Sequence, residues 1–210
     1  MSDFNAIKQA LVACDQEKLI GLVNAGVSKG ISASDILNQG LIAGMDIVGE
    51  KMENGDMFIP EVLMAAKSMA GCVEILKPLL GDNESAVSGC VIIGTVKGDL
   101  HDIGKNLVAM MMESAGLIVH NLGVDIDPAD FVAVIKEKEA RIVCLSALLT
   151  TTMPMMKQTV DAITEAGIRD RVKIMVGGAP VTQAFADEIG ADGFAADAGS
   201  AARLAKSLAV

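Results

Sequence analysis

The chain has 210 residues, 51% of them apolar and 21% charged, enough for one large folded domain or two small ones. Its formal net charge of −10 has the sign of nucleic acid and of anionic membranes, which excludes electrostatic attraction to either and leaves proteins and small molecules as partners. The longest apolar runs, such as Val91–Gly94 and Ile142–Leu149, fall well short of the roughly 20 residues of a membrane-spanning helix.

Met1–Ala10 carries Asp3 and Lys8, with no basic stretch leading into an apolar run, so the cytoplasm is the expected compartment. From residue 4 to about 80 the apolar spacing is helical. Ile7, Leu11 and Cys14 recur at i, i+4 and i+7. Leu19, Leu22, Val23 and Val27 do the same after Asp15, a plausible N-cap, and Gly30 ends that helix. Ser32 with Asp35 resembles a capping box and opens a third helix through Ile36, Leu37, Leu41, Met45 and Val48. Asn54-Gly55-Asp56 breaks it. Pro60, well suited to a first turn, opens a fourth through Leu63, Met64, Met69, Val73 and Leu76, which closes near Pro78 and Gly81. Four amphipathic helices on short loops make a small bundle over 1–81.

Residues 82–88 have no apolar periodicity and read as a linker. Beyond it, over 89–210, short β-rich runs at 89–95, 117–121, 141–147, 172–176 and about 193–195 alternate with helical segments near 103–115, 128–138, 153–166, 180–189 and 198–208. That order implies a five-stranded parallel sheet, doubly wound in a flavodoxin-like, Rossmann-type arrangement, with any ligand bound outside the strand C-termini. The four cysteines, at 14, 72, 90 and 144, have neither the pairs nor the His spacing of a zinc site; Cys90 and Cys144 fall in strand-like runs and read as reduced core residues. The thirteen methionines read mostly as flexible core filling.

Three loops fall at the strand C-termini. The first holds Asp99-Leu100-His101-Asp102-Ile103-Gly104. A lone loop His is ordinarily a surface or capping residue, but Asp99 two positions away can hold one ring nitrogen and leave the other for a metal, and Gly98 and Gly104 admit a large ligand to the backbone. The second, from Ser146 through Leu148 to Thr150, Thr151 and Thr152, offers hydroxyls and leucines that could line a slot or merely cap the next helix. The third holds Gly177-Gly178, a weak signal alone.

Together these residues make Asp99-x-His101-x-x-Gly104, then Ser146-x-Leu148, then Gly177-Gly178. In this order and spacing the chain resembles the cobalamin-binding module of methionine synthase and, in size and domain content, the small corrinoid proteins of methylotrophic methanogens and acetogens. Gly44–Glu50 and Met57–Glu61 are similar to that family's helical cap. The resemblance implies a cobamide cofactor whose own base leaves cobalt and enters a slot lined by Ser146, Leu148, Gly177 and Gly178. His101 would be the lower cobalt ligand, with Asp99 and Thr152 in a relay behind it and Met52 and Ile59 over the upper face. Val96, Gly98, Asp102, Ile103, Gly104 and Thr150 complete the residues expected at the cofactor.

The resemblance further implies a methyl carrier that cycles between methylated and Co(I) forms and catalyses neither half-reaction. A substrate-specific methyltransferase would load it, a second would pass the methyl to a pterin or thiol, and a reductive activase would restore Co(I). Domain motion on the linker would expose the upper face. The rival readings are a B12-dependent sensor, which would need an output element; a receiver domain phosphorylated on Asp, which gives the Asp99–His101 and Gly177-Gly178 loops no purpose; and an adenosylcobalamin mutase subunit, which generally lacks the four-helix cap.

Overall fold

The computed structural model describes residues 3–80 and 89–209. The chain divides into two compact units, one helical and one built on a sheet. The expected linker, 82–88, and the hinge assigned to it lie outside the described residues.

The helical unit begins with α1 (Asp3–Val12), which buries Ile7 and Leu11 completely. Cys14 is not on α1, contrary to the spacing. It follows the helix with φ +55°, and its thiol donates to the Glu61 carbonyl at 3.3 Å. Asp15 caps α2 (Gln16–Ser28) by accepting from the Lys18 N–H at 3.1 Å, and Gly30, with φ +78°, turns the chain after it. The third expected helix is one helical run in three parts: α3 (Ala33–Asp35), capped by Ser32, a π-helical stretch (Ile36–Ile42), and α4 (Ala43–Glu53). The Ala43 N–H reaches back five residues to the Asn38 carbonyl. This wider turn carries Ile36, Leu37, Leu41 and Ile42 all into the interior, which a strict 3.6-residue period would not. Glycines at 40 and 44 let α1 lie close: a Cβ on Gly44 would stand 2.8 Å from Leu11 Cδ2.

Phe58 precedes α5 (Ile59–Leu76), and its N–H donates to Glu61 Oε2 at 2.9 Å while Pro60 sits in the first turn. The buried face of α5 is Val62, Ala65, Ala66, Met69, Cys72 and Leu76. Leu63 and Met64 are exposed, a correction to the expected pattern. The helix is apolar on several sides, so spacing alone does not select its core face. A 3₁₀ turn (Lys77–Leu79) follows.

The second unit alternates β1 (Cys90–Thr95), α6 (Ile103–Ser114), β2 (Ile118–Asn121), α7 (Pro128–Lys138), β3 (Ile142–Ser146), α8 (Met153–Glu165), β4 (Lys173–Gly177), α9 (Gln183–Ile189), β5 (Gly193–Phe194) and α10 (Ala198–Leu208). All pairings are parallel and the strand order is β2-β1-β3-β4-β5. This is the doubly wound arrangement expected, with the direction of winding reversing between β1 and β3. Nearly continuous apolar runs suit strands covered on both faces: Val91, Ile92, Ile93, Ile142, Val143, Leu145, Ile174 and Val176 are all buried. Cys144 is buried as expected, whereas Cys90, at the start of its strand, is only half-buried; all four thiols are free.

Gly94 shows why α7 can approach the sheet closely. A Cβ there would stand 2.7 Å from the Phe131 ring, which is fully buried and contributes about 1.5–3 kcal/mol of apolar stabilisation. In this unit side-chain caps start α7 (Asp127), α9 (Thr182) and α10 (Asp197). Thr182 moves the start of α9 to Gln183, three residues later than the spacing suggests.

Candidate functional site

Thr95, Ser146 and Gly177 stand side by side across β1, β3 and β4, so the three signature loops leave the sheet together at its C-terminal edge. The β1–α6 and β3–α8 loops flank the place where winding reverses, the usual ligand crevice of such sheets.

Asp99 is completely buried beneath this edge. Its Oδ1 accepts from the His101 N–H at 3.1 Å and lies 2.7 Å from His101 Nδ1. Its Oδ2 accepts from the Leu148 N–H at 2.8 Å, the Leu149 N–H at 3.3 Å and the Thr152 hydroxyl at 2.7 Å. Burial alone would raise the carboxyl's pKa. The hydrogen bonds from Thr152, Leu148 and His101 outweigh it and hold Asp99 well below the usual carboxylate range. Against an unprotonated carboxylate, Nδ1 must carry the ring hydrogen, so Nε2 presents its lone pair. The His101 side chain is 51% exposed.

The loop is braced from both sides. The Thr95 hydroxyl donates to the His101 carbonyl at 2.9 Å. Asp125, with φ +57°, accepts from the Gly98 N–H at 2.7 Å through Oδ1 and donates its own N–H to the Asp99 carbonyl at 3.0 Å. Thr152 stands at the N-cap of α8 and makes no side-chain cap; its hydroxyl serves Asp99 instead. The capping role open to it from sequence is therefore not the one it has.

Around His101, Leu100, Ile103, Leu148 and Leu149 are exposed, Ile103 by 79%. Large apolar side chains gathered in this way mark a binding surface. Asp102, Gly104 and Thr150 are exposed there too, and Ser146 is half-buried. An added Cβ at Gly104 would meet nothing within 4 Å, while Gly98, with φ +81°, needs its glycine for backbone conformation. Val96 differs from the others in exposure: its side chain is in the core and its N–H donates to the Ser146 carbonyl at 3.0 Å. Gly178 has φ +133°, and a Cβ on it would fall 1.9 Å from the Ala147 carbonyl oxygen. The glycine pair thus lets the second and third loops cross in contact. In the helical unit, Met52 is half-buried near the end of α4 and Ile59 is 46% exposed at the start of α5.

Sequence reasoning passed over Thr95, Lys105, Asn106, Asn121 and Asp125. The Asp102–Asn106 pair has the i, i+4 spacing of one helix face and was open to detection. Asn121 and Asp125 come from another strand and its loop, and nothing local announces their partners.

A single imidazole holds a bare metal ion poorly, and among the described residues no three His, Cys, Asp or Glu side chains form a metal site. An exposed Nε2 in an apolar surround fits a metal that arrives inside a large macrocycle and needs one further ligand.

Comparison with known proteins agrees with this chemistry. A family model described as a B12 binding domain matches residues 89–205, and a second of the same description matches 4–77. The dimethylamine corrinoid protein 1 of Methanosarcina acetivorans is 42% identical over 200 residues, 95% of this chain and 93% of that protein. A cobalamin-binding protein from Desulfitobacterium hafniense, solved at 1.5 Å, superposes with a TM-score of 0.88 at 32% identity, covering 99% of each chain. The methanol:cobalamin methyltransferase complex of Methanosarcina barkeri contains a chain that superposes with a TM-score of 0.84 at 27% identity, over 99% of this chain and 79% of that one.

Proposed function

The chain belongs to the B12 binding domain family, and we propose that it is a corrinoid protein that carries methyl groups between methyltransferases, with His101 as the protein ligand to cobalt. The observation that carries this reading is the His101 ring, held through Nδ1 by a buried anionic Asp99 at 2.7 Å and open at Nε2. When bound, the corrinoid supplies the nucleophilic cobalt and the atom on which the methyl group rides.

The protein's own residues supply the rest. Asp99 keeps the hydrogen on Nδ1 and so keeps Nε2 a donor of electrons. Thr152 and the Leu148 and Leu149 amides keep Asp99 ionised in a buried place. Leu100, Ile103, Leu148 and Leu149, exposed on the same loops, would offer the bound ring an apolar bed. Ser146, Gly177 and Gly178 would line the slot for the cofactor's base, and Met52 and Ile59 would cover the opposite face of the ring.

A carrier needs a donor enzyme, an acceptor enzyme and a means of reduction. One relative carries dimethylamine in its name, and one similar structure comes from a complex with a methanol:cobalamin methyltransferase. On that ground a methylated amine is the donor class favoured, delivered by a substrate-specific methyltransferase. A pterin- or thiol-directed methyltransferase would receive the methyl group, and a reductive activase would return oxidised cobalt to use.

Electron paramagnetic resonance of the cobalt(II) form tests the ligand assignment. Protein grown with ¹⁵N-histidine should change the superhyperfine splitting from that of a ¹⁴N to that of a ¹⁵N ligand, and His101→Ala should abolish the protein nitrogen while still taking up cobalamin. Retention of the protein-nitrogen signature in His101→Ala would refute the assignment.

A further inference from the structure

A buried cation lies in the same loop system and has no part in the chemistry described so far. Lys105, in the first turn of α6, is 3% exposed. Its Nζ donates to Asn106 Oδ1 at 2.5 Å and to Asn121 Oδ1 at 2.7 Å, both neutral acceptors. Burial lowers the affinity of this amine for its proton, with Asp102 acting in the opposite sense. A buried ammonium among neutral groups costs stability.

What the cation accomplishes is orientation. With both amide oxygens turned to Lys105, the amide NH₂ groups must point elsewhere. Asn121 Nδ2 donates to Asn106 Oδ1 at 3.0 Å, and Asn106 Nδ2 donates to Asp102 Oδ2 at 2.9 Å. The chain of contacts ends on an exposed carboxylate adjacent in sequence to His101 and two residues from Gly104, where nothing crowds the backbone. One Asp102 oxygen is thus held by the protein, on an exposed residue next in sequence to the ligating histidine.

We propose that Asp102, positioned by Lys105 through Asn106, is a specificity-determining acceptor that selects corrinoids bearing amide side chains on the ring periphery over corrinoids bearing free carboxylates there. The proposal rests on the corrinoid reading of the His101 site. A carboxylate accepts a charge-assisted hydrogen bond from an amide N–H but has no proton to offer a second carboxylate, and like charges brought together at an interface are strongly disfavoured. Asp102 would touch the ligand, whereas Lys105 and Asn106 would act only through it.

The test is equilibrium binding of apoprotein to cobalamin and to each separated derivative in which one peripheral amide is hydrolysed to a carboxylate, read from the corrin absorbance. Wild-type protein should bind at least one derivative on the order of tenfold more weakly than cobalamin. Asp102→Asn should bring that ratio within about twofold. Lys105→Met and Asn106→Ala should lower it as well, with ligation by His101 intact in the spectrum. Each ratio is taken within one protein, so a reduced folded fraction in Lys105→Met does not alter it. Ratios near one for every derivative in the wild type, or a ratio unchanged by Asp102→Asn, would overturn the proposal while leaving the corrinoid reading in place. A wild-type protein that takes up no cobalamin would overturn that reading itself.

Discussion

The Thr152 hydroxyl donates to Asp99 Oδ2 at 2.7 Å, joining the β3–α8 loop to the β1–α6 loop across 53 residues of chain. Both side chains are buried, so the bond replaces one that water cannot supply. Thr152→Val keeps the shape and removes the donor. It should cost about 1.5–3 kcal/mol, the range for hydrogen bonds to charged groups, and Thr152→Ser should recover most of that in urea denaturation. A loss in Thr152→Ser with none in Thr152→Val would show that the methyl packing matters and the hydroxyl does not.

Asp99→Asn is expected to change the tautomer of His101. If the amide oxygen stays with Thr152, Leu148 and Leu149, the NH₂ must face His101 Nδ1, which then accepts and sends the ring hydrogen to Nε2. Ligation at Nε2 should be lost while cobalamin uptake persists. Nitrogen NMR of the apoprotein reads the tautomer directly, and an Nδ1-protonated ring in the variant would refute this account.

The same carboxyl predicts an acid signature. Its folded-state pKa lies below the unfolded value, so the unfolded chain binds more protons between the two and stability rises with pH across that window. Asp99 should contribute fully above about pH 4, near the ordinary Asp value, and progressively less as the solution is acidified. The stability difference between wild type and Asp99→Asn should therefore shrink from pH 5 to about pH 2.5. A constant difference would exclude Asp99 as the linked group.

Two glycines of the signature should behave oppositely. Gly178→Ala would place a Cβ 1.9 Å from the Ala147 carbonyl oxygen at φ +133°, and should cost at least about 3 kcal/mol and displace the second loop. Gly104→Ala enters open space near the start of α6 and should stabilise the apoprotein by about 0.5–1 kcal/mol while weakening corrinoid binding. Thermal unfolding and cobalamin titration on both variants check the pair, and a destabilised Gly104→Ala would contradict the open space seen over it.

Ile59→Ala should cost under about 1 kcal/mol, because the side chain is 46% exposed rather than packed in the bundle. Met52, half-buried, should cost more but less than the roughly 2–5 kcal/mol of a core Met→Ala change. If both cover the upper face of the bound ring, each variant should show faster aerobic photolysis of methylcobalamin. Large losses of melting temperature with unaltered photolysis would assign them to the bundle core.

The chemistry-bearing motif was legible because it is local. Asp99 and His101 are two residues apart, so their contact needs only one loop, and the alternation of apolar runs placed that loop at the C-terminal edge of a parallel sheet. Strand and helix positions in the second unit followed from the same periodicities to within a few residues. The first unit was less legible where spacing and packing part company. The π-helical stretch at Ile36–Ile42 and the exposure of Leu63 and Met64 depend on which neighbours each helix meets.

The order of elements, the edge of the sheet that carries the candidate site and the pairing of Asp99 with His101 all follow from local patterns in the chain. Tertiary contacts are what leave Asp99 fully buried and ionised, bring Thr152 to it in place of capping α8, require glycine at 178 where two backbones cross, and hold the Asn106 amide between Lys105 and Asp102. The reason is distance along the chain. Donors to Asp99 arrive from 49 to 53 residues away and the Lys105 contact to Asn121 from 16, so their identities are set by strand register and loop crossing, which no local pattern encodes.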